Sequence, residues 1–280
     1  ANDGGHLLLD ATQKDDLIRA EPAARRYIRP YYGPDEFING QERFCLWLVG
    51  VAPNELRSMP RVMERVESVR EERLQSKRPT TKELARVPAL FGEIRQPSTR
   101  YLGIPKTSSE SRAYIPMAFL EATDIAGSDI FTVPGAGLWH FGVLTSGMHM
   151  AWVRYVCGRL KSDFRYSAGI AYNNFPWPEE TTPARQRAVE NAAAAVLSAR
   201  ARFPAASLAD LYDPIAMPRE LAAAHALVDR TVERCYRKEL FKNDRVRVEL
   251  LFQLYEMLTA PLMPALSTSS AKPKKRKART

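Results

Sequence analysis

The sequence predicts an α+β fold: a mixed α/β region with a largely antiparallel sheet, followed by a small all-α region. Two observations support this. Up to residue 178, short β-type runs bounded by turn residues are mixed with helical segments. After Asn173-Asn174-Phe175-Pro176-Trp177-Pro178 the composition turns alanine-rich and helical. We therefore expect domains at 1–178 and 179–266, with 267–280 as a disordered basic tail.

Composition narrows the class of protein. A chain of 280 residues can hold two domains with separate cores. Its 45% hydrophobic and 26% charged content is typical of globular proteins, and no apolar run approaches the roughly 18 residues of a membrane span. The start at Ala1 indicates a piece of a longer protein. Three scattered cysteines, Cys45, Cys157 and Cys235, argue against disulfides or zinc and favour the reducing cytoplasm.

The net charge of +9 is unevenly distributed. The stretch from Lys272 to Arg279 holds six basic residues and no acidic one, so the rest of the chain carries only +3. Such an arm supports attraction to phosphate without sequence preference. A solvated tail with no binding role is an equally good interpretation.

The N-terminal third begins with a short apolar run, His6–Leu9, which is consistent with a strand. A helix is expected from Thr12, and Asn39-Gly40 is a strong turn signal before a buried-type strand at 44–49. A long helix from Asn54 to Lys77, interrupted at Pro60, alternates Glu and Arg, which is typical of a solvated face.

The middle third is predicted to be mainly strands, followed by one helix. Alternating or apolar runs bounded by turn residues mark four strands, at 90–97, 101–105, 114–117 and 130–133. A single helix is expected over Leu138–Arg159. His140 and His149 lie nine residues apart on it, a spacing that does not favour a shared metal, so we expect structural histidines.

Two segments offer chemistry that suits nucleic acid. The loop Lys106–Arg112 is rich in hydroxyls and has a cation at each end, as phosphate-binding loops often do, although such loops are common on any surface. In an extended conformation of residues 163–167, Asp163, Arg165 and Ser167 project to one side and the aromatic residues to the other. From these residues alone, a surface turn with an Asp163–Arg165 ion pair is the better interpretation.

The last third of the chain is predicted to be helical. Thr182-Pro183 is a helix start, and an alanine-rich helix follows to about residue 202. A short piece at 208–211 precedes a helix from Pro218 to about Tyr236. Asn243-Asp244 caps a last helix with apolar residues spaced for one buried face.

Several long motifs together resemble one family. They are Arg29-Pro-Tyr-Tyr-Gly with Glu36-Phe-Ile-Asn-Gly, Cys45-Leu-Trp-Leu, Glu93-Ile-Arg-Gln-Pro, His140-Phe-Gly-Val-Leu-Thr-Ser, Met148-His-Met-Ala-Trp, Gly158-Arg-Leu-Lys-Ser-Asp-Phe-Arg-Tyr-Ser, Tyr172-Asn-Asn-Phe-Pro-Trp-Pro, Leu211-Tyr-Asp-Pro, Met217-Pro and Leu251-Phe-Gln-Leu-Tyr-Glu. Over residues 1–266 the chain is similar to the C-terminal part of large adenine-N6 DNA methyltransferases of the MmeI type, which include fused restriction–modification enzymes. In that family this part holds the target recognition domain and a helical C-terminal domain.

The resemblance implies sequence-specific binding of double-stranded DNA, beside an N-terminal methyltransferase domain of the same parent chain that uses S-adenosylmethionine. With it, the DNA interpretation of the two segments becomes the preferred one. The expected base-reading residues are Asp163, Arg165, Ser167 and Asn173. The expected DNA-backbone contacts are Arg95, Lys106, Ser108, Ser109, Arg112, Arg159 and Lys161.

The residues themselves do not supply a complete enzyme. The chain lacks an Asn/Asp-Pro-Pro-aromatic loop, and Pro134-Gly135-Ala136-Gly137 is a generic turn rather than a cofactor loop. We therefore expect no catalytic residue, bound cofactor or metal in this chain. Two alternatives stay open: a stand-alone nucleic-acid-binding module and a protein-interaction module without a methyltransferase partner.

Overall fold

The computed structural model describes residues 2–260, and the predicted α+β class is confirmed. The strands are β1 (Leu8–Leu9), β2 (Ile28–Tyr32), β3 (Phe44–Leu46), β4 (Tyr101–Pro105), β5 (Thr107–Ser108), β6 (Ala118–Leu120), β7 (Ile125–Ala126), β8 (Ile130–Pro134), β9 (Gly158–Leu160) and β10 (Asp163–Arg165). The α-helices are α1 (Ala11–Ala20), α2 (Pro34–Asn39), α3 (Pro53–Arg57), α4 (Pro60–Gln75), α5 (Pro79–Glu83), α6 (Leu138–Leu144), α7 (Gly147–Val156), α8 (Pro183–Ala201), α9 (Leu208–Leu211), α10 (Arg219–Tyr236) and α11 (Asp244–Thr259). The predicted tail at 267–280 lies outside the described residues.

The strands form three small sheets. The first has the order β1-β3-β2-β7 and is antiparallel except for the parallel pair β2–β7. The second, β5-β10-β9, and the third, β6-β4-β8, are antiparallel throughout. Each sheet is too small to be stable alone, so helices must cover its apolar face.

The N-terminal lobe has its own core, where α1, α4 and the first sheet pack together around Leu9, Leu46 and Val66. The largest core does not stop at residue 178. It runs from Leu102 in β4 through α6 and α7 to α8, α10 and Leu251 in α11. The core extends across residue 178 because helices from the C-terminal part cover the apolar faces of α6 and α7.

Arg200 of α8 links the two parts of this shared core. The side chain is buried; its Nη1 donates to the Met117 carbonyl at 2.6 Å and its Nε donates to the Tyr212 hydroxyl at 2.9 Å. The guanidinium also lies 5.2 Å from the Phe141 ring centroid. One side chain thus joins residues on both sides of the expected domain boundary.

Arg200→Met is expected to lower the free energy of unfolding by about 2–3 kcal/mol, because the Met117 carbonyl loses its buried donor and Tyr212 loses a partner. Denaturant titration of the whole chain measures this. Arg202→Met is the matched control at the end of the same helix, since Arg202 is exposed and, among the described residues, its side chain forms only a 3.7 Å ion pair with Glu220. Equal losses in the two variants would contradict the assignment.

The single helix expected over Leu138–Arg159 is in fact two helices, and this prediction is wrong at its centre. The Thr145 hydroxyl donates to the Phe141 carbonyl, and Ser146 accepts from the His149 amide as the N-cap of α7. The Gly147 amide donates to Asp229 of α10 at 2.7 Å. Ser146 and a partner distant in sequence thus restart the helix, and residues 158–159 belong to β9.

Two of the predicted middle strands are absent. Residues 90–97 are irregular, held by Phe91 stacked on Trp47 and by Gln96, whose amide donates to the carbonyls of Ala122 and Asp124. Residues 114–117 are also irregular, and β6 begins only at Ala118. Tertiary hydrogen bonds of side chains replace the strand pairing that local alternation suggested.

Helix ends also differ locally from the sequence signals. Asn39-Gly40 ends helix α2 rather than forming a hairpin turn: Gly40 adopts the left-handed φ of 69° that helix C-caps favour. The helix predicted to begin at Asn54 has Ala52 as its N-cap and Pro53 at its first position. The interruption at Pro60 is confirmed by the separate helices α3 and α4.

Candidate nucleic-acid interface

The sheet β5-β10-β9 brings together the two segments with DNA-like chemistry. In β10, Arg165 pairs with Thr107 of β5 on one side and with Gly158 of β9 on the other. Phe164 pairs in the same way with Ser108 and Arg159. The hydroxyl-rich loop and the hairpin therefore form one surface, although more than 40 residues separate them in sequence.

The predicted alternation of side chains along residues 163–167 is confirmed. Phe164 and Tyr166 are buried in the main core, whereas Arg165 is exposed and Asp163 and Ser167 are half-buried. A strand that buries every second residue must turn the residues between them outward. The hairpin therefore presents Asp163 and Arg165 on one outward face.

Strand register adds two residues to this face. Side chains of directly opposed residues in an antiparallel pair lie on the same face of the sheet. Leu160 opposes Asp163 and Thr107 opposes Arg165, so both share the outward face. Leu160 is about half exposed, as is Ile170 beyond the hairpin. Thr107, Leu160 and Ile170 were not predicted from the sequence as part of this face. The signal that could have indicated it was the apolar Leu160 among the polar residues of the hairpin.

Arg159 lies on the opposite face, against Phe164. Its guanidinium lies 4.0 Å from the Phe164 ring centroid, donates to the Ser162 carbonyl at 3.0 Å and forms a 3.4 Å ion pair with Glu110. These contacts close the hairpin turn. Lys161, exposed at the tip, has a left-handed φ of 57°, which is uncommon for a non-glycine residue. Arg159 thus holds the turn that presents Lys161.

The hydroxyl-rich loop divides into buried and accessible groups. Ser108 is buried, because it opposes Phe164 and shares its inward face, so its hydroxyl cannot reach a phosphate. This corrects the expectation that Ser108 contacts the DNA backbone. The Lys106 ammonium donates to the Ser128 carbonyl, and the hydroxyls of Ser109 and Ser111 lie 2.8 Å apart.

Arg112, at the end of the loop, is half-buried. Burial lowers the pKa of Arg112, and the neighbouring carboxylates of Asp163 and Asp213 act against that shift. The Asp163–Arg165 ion pair of the alternative interpretation is absent from the part of the chain that the structure describes. Within residues 2–260, Arg165 is therefore not held by an ion pair with Asp163.

Two expected site residues lie apart from this sheet. Arg95 is exposed in the irregular segment 90–97 and forms a 3.0 Å ion pair with Glu93. Asn173 is exposed and follows the π-helical turn Ala168–Tyr172. Its backbone N–H donates to the Ala168 carbonyl. The next residues turn inward, because Phe175 is buried and the Pro176 carbonyl accepts from Tyr236 of α10.

Residues 2–260 contain no group of three or more His, Cys, Asp or Glu side chains that could hold a metal ion. Nor do they contain a helix that is long and apolar enough to cross a membrane.

The two parts of the chain match two different family models. Residues 1–179 match the family model of the MmeI target recognition domain, and residues 181–263 match that of the MmeI C-terminal domain. DNA methyltransferase A of Bacillus subtilis (strain 168) is 40% identical over 258 residues, 92% of this chain and 29% of that protein. The structure of the type IIL restriction-modification enzyme MmeI in complex with DNA aligns with a TM-score of 0.89 at 41% identity, covering 92% of this chain and 34% of that one.

The sheets, the shared core and these matches define a class: a target recognition domain joined to a helical C-terminal domain. The chain spans about a third of the length of the relatives it matches. It belongs to the MmeI family.

Proposed function

We propose that this chain reads a specific sequence in duplex DNA, as the recognition module of an S-adenosylmethionine-dependent adenine-N6 DNA methyltransferase. One observation carries the proposal. The hairpin β9–β10 is anchored by buried aromatic residues and turns Asp163 and Arg165 outward. The DNA complex of the related MmeI structure supports the same class of ligand.

The outward face carries the chemistry needed to distinguish base pairs. A two-stranded β-ribbon fits the major groove, where Arg donates to guanine, Asp accepts from cytosine and Asn pairs with adenine. Arg165, Asp163 and Asn173 supply these groups, and Ser167 adds a hydroxyl. Thr107 and Leu160 extend the face with groups that suit the thymine methyl.

Backbone contacts come from cations around this face. Lys161 is exposed at the hairpin tip, and Lys106, Ser109 and Arg112 lie in the loop beside it. Arg159 acts mainly through the turn it closes, and Arg95 extends the contacts beyond the sheet. Such contacts fix the orientation of the protein on the duplex, while the base-edge contacts give specificity.

The parent protein supplies the reaction. The relatives are about three times longer than this chain, which leaves room for an N-terminal methyltransferase domain in the same polypeptide. That domain would bind S-adenosylmethionine and accept the target adenine flipped out of the duplex, while this module holds the flanking base pairs. The intact protein would act on DNA in the cytoplasm.

The test is selection of duplexes from a random library by the full 280-residue chain, with Arg165→Ala beside it. The wild type should enrich a short motif, and Arg165→Ala should lose about 1–3 kcal/mol of discrimination at one position, since a bidentate base contact is removed. Weak binding to unrelated DNA should change little. Sequencing of the selected pools measures both effects.

Arg86→Ala is the control, because Arg86 is similarly exposed but is engaged by Glu83 at 3.1 Å outside the hairpin sheet. It should leave the motif unchanged. A motif that Arg165→Ala does not shift would move base reading to the Lys106–Arg112 loop. Absence of any motif would count against the proposed function of this chain.

A further inference from the structure

A buried histidine–tyrosine pair lies directly under the outward face of the hairpin. His149 of α7 is 0% exposed and Tyr166 is 2% exposed, and His149 Nε2 lies 3.1 Å from the Tyr166 hydroxyl oxygen. The His149 ring also packs edge-on against Phe175, with 4.7 Å between ring centroids. Tyr166 immediately follows Arg165, so this contact fixes the residue next to the expected base reader.

Tyr166 is held from two directions. Its backbone amide donates to the Lys106 carbonyl at 2.8 Å, which continues the pairing of β10 with β5. Its hydroxyl reaches α7, which belongs to the main core. A slip of one residue in a strand turns every side chain to the other face of the sheet. The hydrogen bond between Tyr166 and His149 is made in the register that turns Arg165 outward, so it favours that register.

The pair depends on a single hydrogen bond. Among the described residues, His149 Nδ1 has no hydrogen-bond partner, so the Tyr166 hydroxyl is what satisfies this buried ring. Leaving a buried polar group unpaired is costly. Burial lowers the pKa of His149 to about 3, so the ring is neutral across the range in which DNA binding is measured.

We propose that His149 and Tyr166 are positioning residues for base reading, which hold β10 in the register that presents Asp163, Arg165 and Ser167 to the DNA. The inference rests on the function proposed above. Because both side chains are buried, they would act on specificity by positioning β10 and not by contacting bases.

A second buried tyrosine–histidine pair, whose tyrosine hydroxyl also accepts from Arg200, provides the control. Tyr212 is 1% exposed and His225 is 0% exposed, and the Tyr212 hydroxyl lies 2.8 Å from His225 Nε2. His225 Nδ1 is also without a hydrogen-bond partner in the described part of the chain. Tyr212 and His225 belong to the C-terminal helical part and make no hydrogen bond to the hairpin.

The experiment compares Tyr166→Phe with Tyr212→Phe in the full chain, using thermal unfolding and duplex selection. Both variants lose a buried hydroxyl and should lower Tm. Only Tyr166→Phe should reduce the base preference at the position governed by Arg165, by about three- to tenfold, the equilibrium equivalent of one buried hydrogen bond. Its weak binding to DNA without the motif should stay at the wild-type level.

Three results would overturn the inference: an unchanged base preference in Tyr166→Phe, an equal loss in Tyr212→Phe, or a loss of all DNA binding in proportion to Tm. If Tyr166→Phe does not fold, His149→Gln and His149→Leu replace it. Gln keeps a polar group for the hydroxyl and should keep the preference, whereas Leu should lose it, and equal behaviour of the two would overturn the inference.

The same data separate this inference from the proposed function. A wild-type chain that enriches no motif contradicts the proposed function and the inference together. A wild-type motif that responds to Arg165→Ala but not to the His149 and Tyr166 variants contradicts the inference alone.

Discussion

Arg73→Met is expected to lower the free energy of unfolding by about 4 kcal/mol or more, because it strips the donors from several buried carbonyls at once. Arg73 of α4 is 0% exposed and donates to the carbonyls of Asn2, Leu84, Val87 and Leu90, at distances of 2.7–3.1 Å. Met fills similar space without a donor. The buried Asp3 carboxylate would also lose its nearby cation.

Denaturant titration with two tryptophan signals tests this prediction. Trp47 packs on Phe91 beside the N-terminal core, whereas Trp152 belongs to the main core. Single-tryptophan versions of the chain should show that Arg73→Met shifts the Trp47 transition most. Arg70→Met is the control, because Arg70 is exposed one turn earlier and forms only a 3.4 Å pair with Glu67, worth about 0.5 kcal/mol. A wild-type midpoint for Arg73→Met would refute the assignment.

The sequence predicts the structure best where the spacing of apolar residues within a segment determines its secondary structure. Strands at 101–105 and 130–133 and the helices after residue 182 follow their patterns. The alternation at 163–167 was readable because Phe164 and Tyr166 are the apolar half of a period of two. These features need only the side chains of the segment itself.

The sequence predicts the structure poorly where a residue distant in the chain determines the local conformation. The break between α6 and α7 depends partly on Asp229, which lies more than 80 residues further along the chain. The irregular path at 114–117 has the same cause, since the Tyr114 hydroxyl donates to Asp229 at 2.7 Å. No local sequence pattern shows these contacts with Asp229. At 114–117 a tertiary hydrogen bond outweighs the local strand propensity.

The candidate site shows both cases. Arg165 was predicted as a base reader from the chemistry of its own segment together with the family resemblance. The burial of Ser108, and the outward position of Thr107, follow only from the pairing of β5 with β10. A two-residue strand in a hydroxyl-rich loop carries no periodicity that would reveal its register.

Acidification from pH 7 to pH 5 is expected to cost about 4 kcal/mol of stability through His149 and His225 together. Burial lowers the pKa of both imidazoles to about 3, and for His225 the nearby Arg200 lowers the pKa further. Below the ordinary histidine pKa of about 6.5, the two histidines bind a proton each in the unfolded chain but stay neutral in the folded chain. Stability therefore falls as the pH drops through this window.

Asp229 acts in the opposite direction, because burial raises its pKa and the folded chain then binds that proton more readily. The slope between pH 6.5 and pH 5 therefore combines a histidine contribution with an opposing contribution from Asp229. Denaturant midpoints measured across this range give the slope. His149→Gln and His225→Gln should each remove about half of the histidine contribution. A slope that neither variant changes would show that other groups control the acid sensitivity of the fold.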